Sequence, residues 1–278
     1  MTEEVWHHMT TSLADTTTTS SLVATTTRRD FSANDLLRLL KGEVYAIRIR
    51  DVLSGDTLAG LRDRLLDRDD HGPLGTDPQF RRIGHAFSET ASVDDQEEYF
   101  RSAAEHLAYI REVCAPHPYP ADTLRLLLDE VWPAGATVLT WESRKFLPGV
   151  VRYQQPGVDL EPHTDNVARN LPADQTLGIA RQLSVNVYLD LPDRGGELEL
   201  WEAYPDESDY QQLSGDRTWG IDRHLVGEPA LTLSPETGEA IVIDPRRVHA
   251  VRPSADRPRV TVGLFIGVRT NEPLAVWS

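Results

Sequence analysis

Hydrophobic positions along the chain fall into two regimes. Between residues 32 and 131 they recur mostly at helical spacing, and from about residue 137 they gather into short runs of strand type separated by turn signals. Ser32, with Asp35 three residues on, predicts the capped start of a short helix carrying Leu36, Leu37, Leu39 and Leu40, which Gly42 ends. From Tyr45 to Arg50 the pattern alternates as a strand, and residues 54–68 return to helical spacing through Leu58, Leu61, Leu65 and Leu66. Residues 69–79 carry charges, two glycines and two prolines and read as a loop. A long helix is expected over 94–114, its acidic first turn suited to the helix dipole, and another over 124–131 after Pro120, stopping before Pro133.

Strands are then predicted at 137–141, 150–153, 182–189, 197–201, 230–233, 240–243 and 260–268. Helices first and strands afterwards point to a mainly β protein, an antiparallel barrel or sandwich braced by flanking helices. No repeat of fixed period is present. Residues 1–29 hold runs of Thr and Ser with few large apolar groups, so they are expected to form a disordered arm. The rest, 30–278, is expected to be one domain, with helical support over 30–135 and a β core over 136–278.

Composition narrows the partners. Of 278 residues, 40% are hydrophobic and 26% charged, enough apolar content to bury a core. The net charge of −16 disfavours a nucleic-acid backbone or an anionic membrane as partner, and favours a small molecule. The single Cys114 permits no internal disulfide and sits where apolar packing is expected. No stretch approaches a membrane span and no signal sequence is recognisable, so a cytoplasmic location is expected. Nothing in the sequence speaks to oligomeric state.

The chemistry concentrates in two short segments. Glu161-Pro162-His163-Thr164-Asp165-Asn166 contains a His-x-Asp pair, and Asp244-Pro245-Arg246-Arg247-Val248-His249 supplies a second histidine. On a strand end, His163 and Asp165 project to one face, and the strand at 240–243 is expected to deliver His249 beside them. Two histidines and one carboxylate leave half of an octahedral metal open, as a mononuclear non-haem Fe(II) site requires. Arg259 follows ten residues later with Thr261, where a buried guanidinium can grip a carboxylate in bidentate fashion.

With these residues in view, the sequence resembles the Fe(II)/2-oxoglutarate-dependent oxygenases. More narrowly it is similar to the subgroup of indole-alkaloid halogenases and of hydroxylases and halogenases of free or N-acylated amino acids. The specific stretches are Ile83-Gly84-His85-Ala86, Tyr99-Phe100, Gln182-Leu183-Ser184, Gly195-Gly196-Glu197-Leu198 and Trp277-Ser278. The resemblance implies a double-stranded β-helix (jelly-roll, cupin-like) core, Fe(II) held by His163, Asp165 and His249, and 2-oxoglutarate held by Arg259 and Thr261, with O2 as oxidant. In the halogenating members the carboxylate position is Gly or Ala, which leaves room for chloride. Asp165 therefore implies a hydroxylase of an unactivated C–H in a free amino acid or an amino-acid-derived metabolite, with a halogenase or desaturase as alternatives. A non-catalytic metal- or ligand-binding barrel is the alternative from another class.

For the substrate wall, the resemblance implies the segment around Arg82, His85 and Phe87, together with Leu160. Arg81, Arg101 and Arg152 are further candidates for a substrate carboxylate, and Glu142 and Glu161 for an amine. Gly195-Gly196 is expected to allow a close approach of strands, Trp201, Trp219 and Trp277 to pack, and Glu197 and Glu199 to face solvent. The polar stretch 204–228 is expected to form a mobile lid.

Overall fold

Two β-sheets face one another, and from residue 150 onward the chain shuttles between them. The computed structural model describes residues 22–68, 72–74, 77–172, 175–217 and 219–278. The strands are β1 (Val23–Thr27), β2 (Ala46–Arg50), β3 (Gly72–Leu74), β4 (Asp77–Ile83), β5 (Ala136–Val138), β6 (Thr140–Trp141), β7 (Arg144–Lys145), β8 (Val150–Gln154), β9 (Leu160–His163), β10 (Arg181–Asp190), β11 (Leu198–Leu200), β12 (Leu231–Leu233), β13 (Ala240–Ile243), β14 (His249–Val251), β15 (Arg259–Val268) and β16 (Leu274–Trp277). The helices are α1 (Ala33–Leu40), α2 (Gly55–Leu65), α3 (Val93–Cys114), α4 (Pro120–Val131) and α5 (Glu207–Ser214).

The large sheet runs β1-β2-β13-β10-β15-β8-β4-β3, with β16 paired to β15 and β5 to β16; the small sheet runs β12-β11-β14-β9. Strands β8 to β15 thus visit the large and small sheets in the alternation of a double-stranded β-helix, as expected. Period-two alternation assigns each face. On β10 and β15, Leu183, Val185, Val187, Val262, Leu264 and Ile266 point outward and share a core with Leu61, Leu65, Ile110, Leu124 and Leu128 from the helices. Tyr188, Ile241 and Ile243 point inward, against Leu198, Leu200, Leu231, Leu233 and Val251 of the small sheet. With both faces covered, β15 is buried from Arg259 to Gly267, which explains its nearly unbroken apolar run.

Helix starts follow their capping residues. The Asp35 carboxylate accepts from the Ser32 N–H at 2.9 Å, Ser54 caps α2 through Thr57 N–H, Ser92 caps α3 through Asp95 N–H, and Pro120 opens α4 where its missing N–H costs nothing. Cys114 is buried at the end of α3. Among the described residues no helix is long and apolar enough to cross a membrane.

Several expectations need correction. Of the arm expected over 1–29, residues 1–21 lie outside the described residues, but Val23–Thr27 is a strand paired in parallel with β2. Its Thr-rich sequence suits a strand once a neighbouring edge offers backbone partners. The loop expected at 69–79 holds β3 and the start of β4; Pro73 is tolerated because β3 is the edge strand of the large sheet. His249 does not extend from β13 but begins a strand of its own, β14, in the other sheet. Glu199 does not face solvent. The outer face of the small sheet is covered by the 204–228 segment, which packs Tyr210, Leu213, Ile221 and Val226 against Val248 and Ala250. Beneath it Glu199, 2% exposed, bridges Arg223 and Arg252. Gly195 meets its expectation: a Cβ there would lie 2.1 Å from the Pro253 carbonyl oxygen.

Candidate active site

His163 ends β9 and His249 begins β14, and the antiparallel pairing makes them direct cross-strand partners. Residues distant in sequence are thereby brought to a ring-centroid separation of 4.2 Å. Just past β9 the chain turns, and the Asp165 N–H is fixed at 2.8 Å to the Pro245 carbonyl in the loop that leads to His249. The Asp165 carboxylate lies 3.4 Å from His249 Nε2 and 3.9 Å from His163 Nε2, and the three ligand atoms lie within 4.8 Å of one another.

The outer hydrogen bonds decide which nitrogen faces this space. His163 Nδ1 lies 2.7 Å from the Glu161 carbonyl and His249 Nδ1 3.0 Å from the Arg247 carbonyl. A carbonyl only accepts, so each Nδ1 carries the proton and each Nε2 lone pair is free for a metal. Burial pushes the His163 imidazole down to about 4, so it is neutral and ligand-ready at neutral pH. Burial alone would raise the Asp165 carboxyl, but its contact with His249 Nε2 and the fields of His163 and Arg152 outweigh that and hold it below the usual carboxylate range. Two imidazole nitrogens and one carboxylate fit a non-haem Fe(II) centre.

Deeper in the barrel is a second polar patch. Arg259 and Thr261, 5% and 1% exposed, lie on the inner face of β15. They pair in register with Gln154 and Arg152 of β8. Arg259 Nε, Thr261 Oγ1, Arg152 Nε and Gln154 Oε1 are all sealed from solvent without a hydrogen-bond partner, and Arg259 stands 5.0 Å from the Tyr188 ring centroid. An orphaned buried polar group costs about 1–3 kcal/mol, so the three of these that can donate, Arg259, Arg152 and Thr261, fit an anionic ligand such as 2-oxoglutarate.

In front of the metal ligands opens a cavity of about 260 Å³. Five of its walls are aromatic: Phe87, Tyr210, Trp219, Phe265 and Trp277. Gln182, Asn166 and Asn170 supply amides. Gln182 Oε1 accepts from Val167 N–H at 2.9 Å, and Asn170 ties this loop to the Ser88 and Thr90 carbonyls. Arg169 also lines the cavity, but it is engaged by Thr164, by Glu207 at 2.8 Å and by the Tyr210 ring at 4.1 Å.

Of the expected substrate residues, Phe87 lines this cavity and Arg82, His85 and Leu160 do not. Arg82 is bound to Glu89 at 2.6 Å and to the Gly84 carbonyl. His85 sits edge-on to Tyr99 and 3.9 Å from Glu89, its pKa lowered by burial. Leu160 packs against the barrel interior. Arg81 faces outward opposite Tyr153, Arg101 pairs with Glu98, Glu142 with Arg144 and Glu161 with Arg217. Trp201 is packed as expected, but Trp219 is 47% exposed with its ring 5.7 Å from that of His163, and Trp277, though buried, forms cavity wall. An aromatic in a polar loop was the signal available for Trp219; Tyr210, Phe265 and Arg169 gave none.

Comparison with known proteins agrees with this geometry. Residues 24–278 match the family described as carrier-protein-independent halogenase WelO5. The chain is 28% identical over 165 residues to L-gamma-glutamyl-L-propargylglycine hydroxylase of Streptantibioticus cattleyicolor, covering 56% of this chain and 59% of that protein. It is 27% identical over 133 residues to L-isoleucine 3(1)-dioxygenase of Pantoea ananatis, covering 46% and 45%. The chain thus spans about half the length of the curated relatives it matches. The fold matches the crystal structure of an N-substituted L-amino acid dioxygenase from Burkholderia ambifaria AMMD with a TM-score of 0.63 at 19% identity, over 88% of this chain and 91% of that one. With its His163, Asp165 and His249 cluster on a double-stranded β-helix, the chain belongs to the WelO5 family of Fe(II)/2-oxoglutarate-dependent oxygenases.

Proposed function

We propose that the protein hydroxylates an unactivated C–H bond of an amino-acid-derived small molecule, consuming O2 and 2-oxoglutarate. One observation carries the choice of hydroxylation: Asp165 occupies the carboxylate position, 3.4 Å from His249 Nε2, where halogenating relatives have Gly or Ala to admit chloride. His163, Asp165 and His249 would hold Fe(II), and Arg259 with Thr261 would hold the distal carboxylate of 2-oxoglutarate. When bound, this pair supplies oxygen activation coupled to loss of CO2 and formation of succinate. The chain's own contribution is to orient the substrate in the aromatic cavity and keep other groups away from the metal.

The cavity also favours one kind of amino-acid derivative. Among its described lining residues the one carboxylate is the metal ligand Asp165, and Arg169 is already paired. A free ammonium would find no counter-ion there, whereas an acylated or peptide-linked nitrogen needs only the amides. The support from relatives is in kind: one is named for a gamma-glutamyl amino acid and one for isoleucine.

The test is a succinate-release screen over amino acids and their N-acyl and gamma-glutamyl derivatives, with product mass measured. A gain of about 16 mass units supports hydroxylation, as insertion of one oxygen requires. A loss of about two indicates desaturation, and chlorinated product in chloride buffer overturns the reading in favour of a halogenase. Absence of the visible charge-transfer band on anaerobic addition of Fe(II) and 2-oxoglutarate would favour a non-catalytic barrel.

A further inference from the structure

Arg152 is a half-buried cation without an ion-pair partner among the described residues. Among the described residues no carboxylate lies within ion-pair distance of it, no hydrogen bond reaches it, and its Nε is sealed from solvent. The nearest acids in its field are Asp165 and Glu89. Asp165 is a metal ligand, and Glu89 is held by Arg82 at 2.6 Å and by the Ala86 N–H at 2.8 Å.

Its position is set by the sheet. Arg152 pairs with Thr261 across β8 and β15, one same-face step from the Arg259–Gln154 pair. The next same-face residue of β15 is Gly263, where a Cβ would meet Arg152 Nη1 at 3.3 Å and Asn186 Oδ1 at 2.8 Å. The missing side chain therefore makes room for the guanidinium to lean past Thr261. One step further along β15 is Phe265, a wall of the cavity. Arg152 thus stands between Arg259 and the substrate cavity, within the field of the metal ligands.

Charge counting says what it waits for. Fe(II) with Asp165 retains one positive charge, and Arg152 and Arg259 add one each. 2-Oxoglutarate brings two negative charges, so the loaded site still accommodates one more anion, and a charge withdrawn from solvent without compensation is costly.

We propose that Arg152 is a carboxylate-binding group separate from Arg259. Its ligand is either the chelating carboxylate of the co-substrate or the carboxylate of the amino-acid substrate. The second source rests on the function proposed above; the first does not.

The test is calorimetric binding to the protein loaded with Mn(II), which needs no turnover. The proteins are the unsubstituted chain, Arg152→Met, Arg152→Lys and Arg259→Met. The probes are 2-oxoglutarate, 2-oxobutyrate (which keeps the chelating end but lacks the distal carboxylate), and, with 2-oxoglutarate present, N-acetyl amino acids and their carboxamides. If the co-substrate is the source, Arg152→Met weakens both keto acids about tenfold or more and by similar factors, as loss of a charge-assisted bidentate pair implies. Arg259→Met then weakens 2-oxoglutarate alone. If the substrate is the source, keto-acid affinities stay within about twofold. Arg152→Met then abolishes the preference for N-acetyl amino acids over their carboxamides, and Arg152→Lys restores part of it.

Urea unfolding supplies a readout that a structural role would not give. Because Arg152 is a half-buried charge with no ion-pair partner among the described residues, Arg152→Met without metal or ligand is expected to be at least as stable as the unsubstituted protein. The proposal is overturned if Arg152→Met leaves both keto acids and the acetyl-acid preference unchanged, or if the variant is markedly less stable. If the unsubstituted protein binds no N-acetyl amino acid, the substrate reading fails by itself and the keto-acid comparison alone decides for or against Arg152.

Discussion

The carbonyl of Arg247 accepts the Nδ1–H of His249 at 3.0 Å, while the Arg247 guanidinium is stacked 3.3 Å from the Tyr45 ring centroid and bonded to the Trp201 carbonyl at 3.0 Å. A side chain clamped in this way fixes the peptide that aims a metal ligand. Replacing Arg247 with Met should therefore weaken Fe(II) or Ni(II) binding by roughly 10- to 100-fold, the usual effect of losing a group that orients a ligand. Metal titration of folded variant, checked by circular dichroism, measures this; unchanged affinity would show that the β14 backbone holds His249 unaided.

How much of this site was readable beforehand depended on length and on what covers each face. Strands such as β10 and β15 declare themselves because ten residues in regular alternation, or in a nearly unbroken apolar run, allow little else. Strands β9 and β14, with four and three residues, carry no periodicity worth reading, yet they set His163 against His249. The ligands were found from chemistry instead, because His-x-Asp with a later His and Arg is informative without knowledge of the strands. Alternation placed Glu199 opposite Leu198 and Leu200, but could not reveal that the 204–228 segment returns to cover that face. The substrate wall escaped for the same reason: Tyr210, Trp219 and Trp277 reach the cavity from segments remote in sequence.

Asp165 is the residue on which hydroxylation turns. Asp165→Gly removes one of three ligands, so metal affinity should fall further than the roughly 10- to 100-fold typical of residues that merely orient a ligand. Hydroxylated product should fall with it, and residual activity should become chloride-dependent. Product mass in chloride and in chloride-free buffer checks both; hydroxylation at the level of the unsubstituted protein would remove Asp165 from the chemistry.

Acidity should weaken the metal-free fold through its buried imidazoles. His163 has a folded pKa of about 4 against an ordinary 6.5, and burial also lowers His85 and His106. Between these values the unfolded chain binds protons that the folded one does not, so stability is full above pH 6.5 and declines as pH falls toward 4. The slope for one such group is about 1.4 kcal/mol per pH unit at most. Asp165, held below its ordinary 3.8, contributes in the same direction but only below that pH. Urea unfolding of chelator-treated protein at several pH values should show the decline, and His163→Gln should flatten it; a slope unchanged by His163→Gln would contradict the assignment.

The 204–228 segment is fastened by charge as well as by its small core. Glu199 accepts from Arg252 at 2.6 Å and from Arg223, which also grips Asp159 at 2.6 and 2.7 Å. Arg217 meets Glu161, and Ile221 N–H bonds the Pro162 carbonyl at 2.7 Å, one residue before His163. The segment that carries Trp219 is thus anchored to the strand that carries a metal ligand. Glu199→Gln leaves two partly exposed guanidiniums without their shared carboxylate, which should cost about 1–3 kcal/mol, below the value for a fully buried pair because solvent reaches both arginines. The loss should be local: faster limited proteolysis within 204–228 and a higher KM for substrate, with 2-oxoglutarate affinity unchanged because Arg259 and Thr261 lie on the other sheet. Equal proteolysis of the two proteins would mean that the packing of Tyr210, Leu213, Ile221 and Val226 holds the segment down and the ion pairs add nothing.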